Sequence, residues 1–143
     1  MDIKIKRFDK ELPLPKRQTE GAAAFDLFAR KEVVVPPGAV GYVPLNIAVE
    51  TPPGHFLLIA ARSSTHKKGV MMANGIGIID PDFSGDEDEI TAACYNFTSA
   101  PVTIERGFRI GQGMFVPAPA FAWNEVDALP NRSRGGFGTT GNH

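Results

Sequence analysis

Twelve prolines and fifteen glycines are spread along a chain of 143 residues, and this punctuation limits its fold more than any other feature. Both residues are poor in helix interiors, so long helices have little room. Between the breaks lie ten short runs rich in Val, Ile and Phe: 3–8, 22–28, 32–35, 42–49, 55–60, 70–72, 75–79, 90–97, 102–104 and 108–116. Strands of this length, separated by turn residues, predict an all-β sandwich, barrel or jelly roll. The triplets 36–38 and 52–54, both Pro-Pro-Gly, have turn chemistry: proline presets φ and glycine accepts a positive one. One short helix is expected after residue 62. Ser63 or Ser64 would cap it, Lys67 and Lys68 suit its C-terminal end, and Gly69 would stop it.

A chain of this length suits one core, and 43% hydrophobic residues are enough to pack it. The net charge of -1 gives no reason to expect a nucleic-acid or membrane partner. No apolar run approaches the ~20 residues that a membrane helix needs, and the opening Met-Asp-Ile-Lys-Ile-Lys lacks a signal-peptide core. Cys94 is the only cysteine, so an internal disulfide is impossible and a reducing, cytoplasmic setting is expected. From residue 117 the composition changes to scattered apolar residues and a Gly/Ser/Thr/Arg-rich end. The chain therefore divides into a β-rich domain, 1–116, and a C-terminal arm, 117–143. Trp123 is read as the packing anchor of that arm.

Five segments could carry chemistry, and each has an ordinary structural reading beside the functional one. In the segment 21–27, Gly-Ala-Ala-Ala-Phe-Asp-Leu, Asp26 sits in a small-residue strand. A buried carboxylate needs partners, either backbone donors or a metal-bound water. In 61–69, Arg62, Ser63 and Ser64 precede the expected helix and form either an anion site or a plain cap. In 74–85, Asn74 and Gly77 precede Asp80, whose carboxylate could be desolvated enough to act as a base, or could simply open an Asp-Pro-Asp turn. In 107–115, Gln112 could orient a water or satisfy a core backbone group. In 132–141, Arg132, Arg134 and Phe137 lie among glycines, suited to closing over a flat anionic ligand or to fraying.

Other chemistries find no support. His55, His66 and His143 have no paired spacing and Cys94 stands alone, which argues against zinc. There is no phosphate-binding loop or dinucleotide fingerprint. Cys94, inside an apolar run, is read as core rather than nucleophile.

Taken together and in order, the five segments resemble the five motifs of the trimeric dUTPase family, from about Thr19 to Gly141. The resemblance implies a jelly-roll or distorted β-barrel subunit and a homotrimer whose active sites are shared between chains. It also implies Mg²⁺-dependent hydrolysis of dUTP to dUMP and pyrophosphate, which keeps uracil out of DNA and supplies dUMP for dTMP synthesis. On that resemblance Asp80 activates the attacking water, Gln112 holds the water or the phosphate chain, and Ser63 bonds the oxygen bridging the α- and β-phosphorus atoms. Arg62 and the backbone around Ser64 bind phosphate. Asn74 and the backbone of Gly77, Ile78 and Ile79 read the uracil edge, and Phe83 packs under the deoxyribose. Arg132, Gly138 and Thr139 belong to a lid over the phosphates, Phe137 stacks on the base, and Asp26 reaches Mg²⁺ through water.

The chain departs from the family pattern in three places. Phe83 stands where tyrosine is usual, Ser133 replaces a common glycine, and Asp86-Glu-Asp-Glu89 lengthens a loop expected to be solvated. A dCTP deaminase shares several of these motifs. Deaminases, however, carry a glutamate three residues before the asparagine that ends the next strand, where this chain has Ala93 before Asn96. They also carry an arginine at the position of Lys67. A catalytically silent regulatory homologue would have no need to keep Ser63, Asp80, Gln112 and Arg132 together.

Overall fold

The computed structural model describes residues 1–138, 140 and 141. Eleven strands dominate it: β1 (Ile5–Arg7), β2 (Phe25–Phe28), β3 (Val33–Val35), β4 (Val40–Pro44), β5 (Ile47–Val49), β6 (His55–Ala61), β7 (Val70–Met72), β8 (Gly77–Ile79), β9 (Thr91–Asn96), β10 (Val102–Ile104) and β11 (Arg109–Pro117). The largest sheet has the order β2-β11-β6-β8 and a second has the order β4-β9-β7. Two ribbons, β1-β5 and β3-β10, complete the all-β jelly-roll architecture. All pairings are antiparallel.

Alternation in the sequence decides which face of each strand is buried. In β9, Ala92, Cys94 and Asn96 point inward while Thr91, Ala93 and Tyr95 are less buried. Leu57 and Ile59 of β6 meet Leu27, Val35, Val43, Val70, Ile104 and Ile110 in one core. Each such side chain contributes about 1.5–3 kcal/mol by leaving water. Cys94 is fully buried there, and burial pushes its thiol up to about 11, so it is a core residue and not a nucleophile.

The expected run 42–49 is not one strand. Asn46 has φ 73°, a left-handed conformation that ends β4 and starts β5 in a new direction. Asn tolerates this region better than most residues. Its side chain also fixes the bend: Oδ1 accepts from the Asp9 N–H (2.7 Å) and Nδ2 donates to the Asp9 carbonyl (3.0 Å). The Asn46 N–H donates to Glu89 (2.9 Å), whose carboxylate is also held by Arg30 through bonds of 2.7 and 2.9 Å. Glu89 is thus not part of a solvated acidic loop. Asp86 and Glu87 are exposed, and Asp86 pairs with Lys6 at 3.1 Å.

The expected helix is a single 3-10 turn, Thr65–Lys68. Gly69 stops it at φ 97°, and a Cβ there would lie 2.9 Å from Thr98 Cγ2. Ser64 occupies the cap position but makes no capping hydrogen bond with its side chain. Beyond β11 the arm is exposed, and Trp123 touches the Phe121 ring edge-on while remaining 89% exposed. It anchors nothing within the subunit, because no core surface reaches it. Among the described residues no helix is long and apolar enough to cross a membrane.

Asn46 gives the bend a direct test. Asn46→Ala is expected to lower the unfolding free energy by about 2–3 kcal/mol, through lost bonds to Asp9 and a strained φ. Asn46→Gly, which relieves the strain alone, should recover about 1 kcal/mol of that loss in denaturant titrations.

Candidate active site

The register of the four-stranded sheet sorts the site residues onto two faces. Gln112 of β11 lies opposite Asp26 of β2 on one side and Ala60 of β6 on the other, so all three share the outer face. Ile59, Gly113, Phe25 and Gly77 share the inner face.

The outer face carries a cleft of about 490 Å³ lined by Gln18, Ala22–Ala24, Asp26, Arg62, Ser63, Gln112 and Met114. Asp26 is buried there, and among the described residues its carboxylate oxygens meet guanidiniums rather than backbone donors. Its Oδ1 lies 3.1 Å from Arg62 Nε and its Oδ2 3.4 Å from Arg109 Nη1. One carboxylate against two guanidiniums leaves the cleft a surplus of positive charge. Arg62 Nη1 also donates to the Arg109 carbonyl (3.3 Å), and Gln112 Nε2 donates to the Ala61 carbonyl (3.0 Å). Gln112 is thereby oriented, with its amide oxygen still free to accept. Ser63 is exposed at the rim. The backbone of Arg62 is tied down as well: its N–H donates to Thr65 Oγ1 (2.8 Å), which in turn donates to the Ile110 carbonyl (3.0 Å).

A second cleft, about 140 Å³, opens between β8 and the sheet of β7 and β9. It is lined by Ile59, Met72, Asn74, Gly77, Ile78, Ile79, Thr91, Ala92 and Ala93. β8 is the last strand of its sheet, so one edge of its backbone has N–H and C=O groups without a strand partner. Gly77 packs tightly against β6, where a Cβ would sit 3.2 Å from Ile59 Cβ. Ala93 lines this wall with a methyl group, so no carboxylate enters the cleft at that position. Asn96, three residues on, is committed to structure through Val35, Ala100 and Thr98.

Asp80 follows β8 and is exposed in the single subunit, so the desolvation expected from its apolar strand is absent there. Its carbonyl accepts from the Phe83 N–H (3.1 Å), which makes the Asp-Pro-Asp-Phe segment a real turn as well as a candidate site. Phe83 is 41% exposed. In the arm, Arg132, Phe137 and Gly138 are exposed to solvent, Phe137 completely. Thr139 lies outside the described residues.

The two clefts share no lining residue. One subunit therefore holds the expected base-reading and phosphate-binding residues in separate clefts, and no described residue of the arm lines either one. Sequence reasoning missed two residues here. Arg109 pairs with Asp26 across 83 positions and Thr65 joins Arg62 to β11 across 45. Only strand register brings either pair together.

A dUTPase family model matches residues 10–141. The chain belongs to the dUTPase family. A deoxyuridine 5'-triphosphate nucleotidohydrolase of Dictyoglomus turgidum is 37% identical over 146 residues, spanning 97% of both chains. The crystal structure of a dUTPase from Streptococcus mutans superposes with a TM-score of 0.75 at 30% identity, covering 83% of this chain and 98% of that one. A Staphylococcus bacteriophage 80alpha dUTPase mutant with dUpNHpp shares the fold, with a TM-score of 0.86 at 21% identity and 98% coverage of both chains. Membership makes the chain an enzyme of nucleotide metabolism, a hydrolase.

The paired charges of the outer cleft allow a stability test. Asp26→Ala leaves Arg62 and Arg109 side by side without their counter-charge. The expected loss is about 2 kcal/mol, less than for a fully buried pair because both arginines are partly solvated. Chemical denaturation would register it as a lower midpoint.

Proposed function

We propose that the chain is a cytoplasmic dUTP diphosphatase working as a homotrimer, releasing dUMP and pyrophosphate by attack of water on the α-phosphorus. The observation that carries this reading is the division of the site: one cleft on the outer face of the sheet and another at its β8 edge, with no lining residue in common, and no described residue of the arm lining either. A complete site then needs more than one copy of the chain. The outer face of the β4-β9-β7 sheet supports self-association. It presents Val40, Tyr42 and Met71, 42%, 69% and 50% exposed, next to Ala93 of the base cleft.

Each residue has a task matched to its surroundings. Asn74 and the free edge of β8 offer donors and acceptors to uracil, and a buried hydrogen-bonding edge rejects cytosine strongly because the groups at position 4 are reversed. Phe83 packs under the deoxyribose. Asp80 takes a proton from the attacking water, and closure of the site supplies the desolvation that the lone subunit lacks. Gln112 holds that water or the phosphate chain through its amide oxygen and its second N–H, the first being bonded to Ala61. Arg62, its Nε committed to Asp26, directs its remaining donors to phosphate. The Ser63 hydroxyl bonds the bridging oxygen as pyrophosphate leaves, and the backbone at Ser64 adds phosphate donors. Arg132, Gly138 and Thr139 close over the phosphates and Phe137 covers the base.

The residues present fit Mg²⁺ in one specific way. Among the described residues no three acidic, His or Cys side chains cluster, so the protein alone offers no cage. Mg²⁺ keeps several waters and commonly binds through substrate phosphates with one or two carboxylates. Asp26 has one partner on each oxygen and can still accept from a metal-bound water. When bound, the ion supplies charge neutralisation on the triphosphate.

Incubation with dUTP, dCTP, UTP and dTTP in Mg²⁺ is expected to yield pyrophosphate from dUTP alone, and Asp80→Asn should lower kcat on the order of 10³-fold while dUTP still binds. Ammonia from dCTP would instead establish a deaminase, and near-normal turnover of the variant would place the base elsewhere. Removal of residues 130–143 should leave a folded trimer by light scattering with little activity. Full activity of that truncated chain would rule out the lid.

A further inference from the structure

The ladder between β6 and β11 ends at the pair Ala61–Gly111. Continued by one residue, its register would place Arg62 opposite Ile110. That rung is present in altered form. The Arg62 N–H donates to Thr65 Oγ1 at 2.8 Å, and the same hydroxyl donates to the Ile110 carbonyl at 3.0 Å. A side-chain oxygen is thus spliced between two backbone groups that would otherwise bond each other. The pairing of β11 with β2 shifts at the same place: Arg109 faces Phe28 while Gly111 faces Leu27, so Ile110 is the extra residue of a bulge. Its carbonyl is left over from the ladder, and the Thr65 hydroxyl takes it. Thr65 is 2% exposed, so water cannot easily substitute for either bond.

We propose that Thr65 is a positioning residue: its hydroxyl wedges the β6–β11 ladder open by one rung and turns Arg62 and Ser63 outward into the phosphate cleft. Without it, the Arg62 N–H and the Ile110 carbonyl can close directly, extending β6 and drawing both residues back along the strand. A hydroxyl is required because the wedge must accept from one side and donate to the other. Valine, equal in shape, does neither. The inference deepens the proposed polyphosphate role of this cleft and rests on it.

The test compares the full-length protein with Thr65→Val and Thr65→Ser, using calorimetric titration with Mg²⁺-pyrophosphate and with deoxyuridine, alongside dUTP turnover. Thr65→Val is expected to bind pyrophosphate about tenfold more weakly, with a matching fall in kcat/KM, while Thr65→Ser keeps both within about twofold. Deoxyuridine binding, which uses the other cleft, should stay unchanged in both variants. Equal affinity of Thr65→Val and the unaltered protein for pyrophosphate would overturn the proposal. So would a serine variant as weak as the valine one, a parallel loss of deoxyuridine binding, or an unaltered protein that binds no pyrophosphate. An unaltered protein that binds pyrophosphate but leaves dUTP intact would refute the proposed reaction alone, and the valine and serine titrations would still decide the role of Thr65.

Discussion

Strand β11 is the element on which the site depends, because it has partners on both edges. It bonds β2 on one side and β6 on the other across Gly111–Gly113, so the positions of Asp26, Gln112 and Ala60 are not independent. Once the inner face is committed to Leu57, Ile59 and Leu27, a period of two forces Asp26 and Gln112 outward together. A one-residue slip of β11 would exchange the faces, burying an amide in the core and exposing Ile110. The core therefore sets the geometry of the polar cleft, and hydrophobic burial holds the candidate site residues in place without touching them.

The same sheet bears on the proposed sharing of the site between subunits. The outer cleft and the cleft at the β8 edge share no lining residue. With the proposed base-reading edge at β8 and the proposed phosphate groups between β2, β11 and β6, association is the proposed way to join them. The arm extends this logic: it carries Arg132 and Phe137 out of the core's reach, where local contacts alone hold neither side chain in place.

How much of this was legible in the sequence depends on the range of the interaction. Turn chemistry and alternation are local, so the strands, the Gly69 stop and the core role of Cys94 follow from a few adjacent residues. Asn46 shows the limit. Its neighbours Leu45 and Ile47 are apolar, so 42–49 reads as one strand, and the bend is fixed by Asp9 and Glu89, dozens of positions away. Glu89 reads as solvated for the same reason, although its carboxylate is committed to Arg30 rather than to water. The burial of Asp26 is legible from its apolar strand, but its pairing with Arg62 and Arg109 is not, because both arginines lie far along the chain.

The two arginines on Asp26 also bear on how an anion enters. A carboxylate already neutralised by one guanidinium leaves the second as surplus charge, which supports the proposed phosphate role while the acid stays paired. Arg62 is restrained at both ends, by Asp26 at Nε and by Thr65 at its backbone N–H. A flexible side chain restrained at two points loses less entropy on binding than a free one, where each immobilised long side chain costs about 0.5–1.5 kcal/mol. In the proposed reaction, preorganisation of this kind favours the position of the developing charge, because the donors are fixed before the phosphate arrives. Ser63, next in the chain and otherwise unrestrained, inherits its placement from the residue before it.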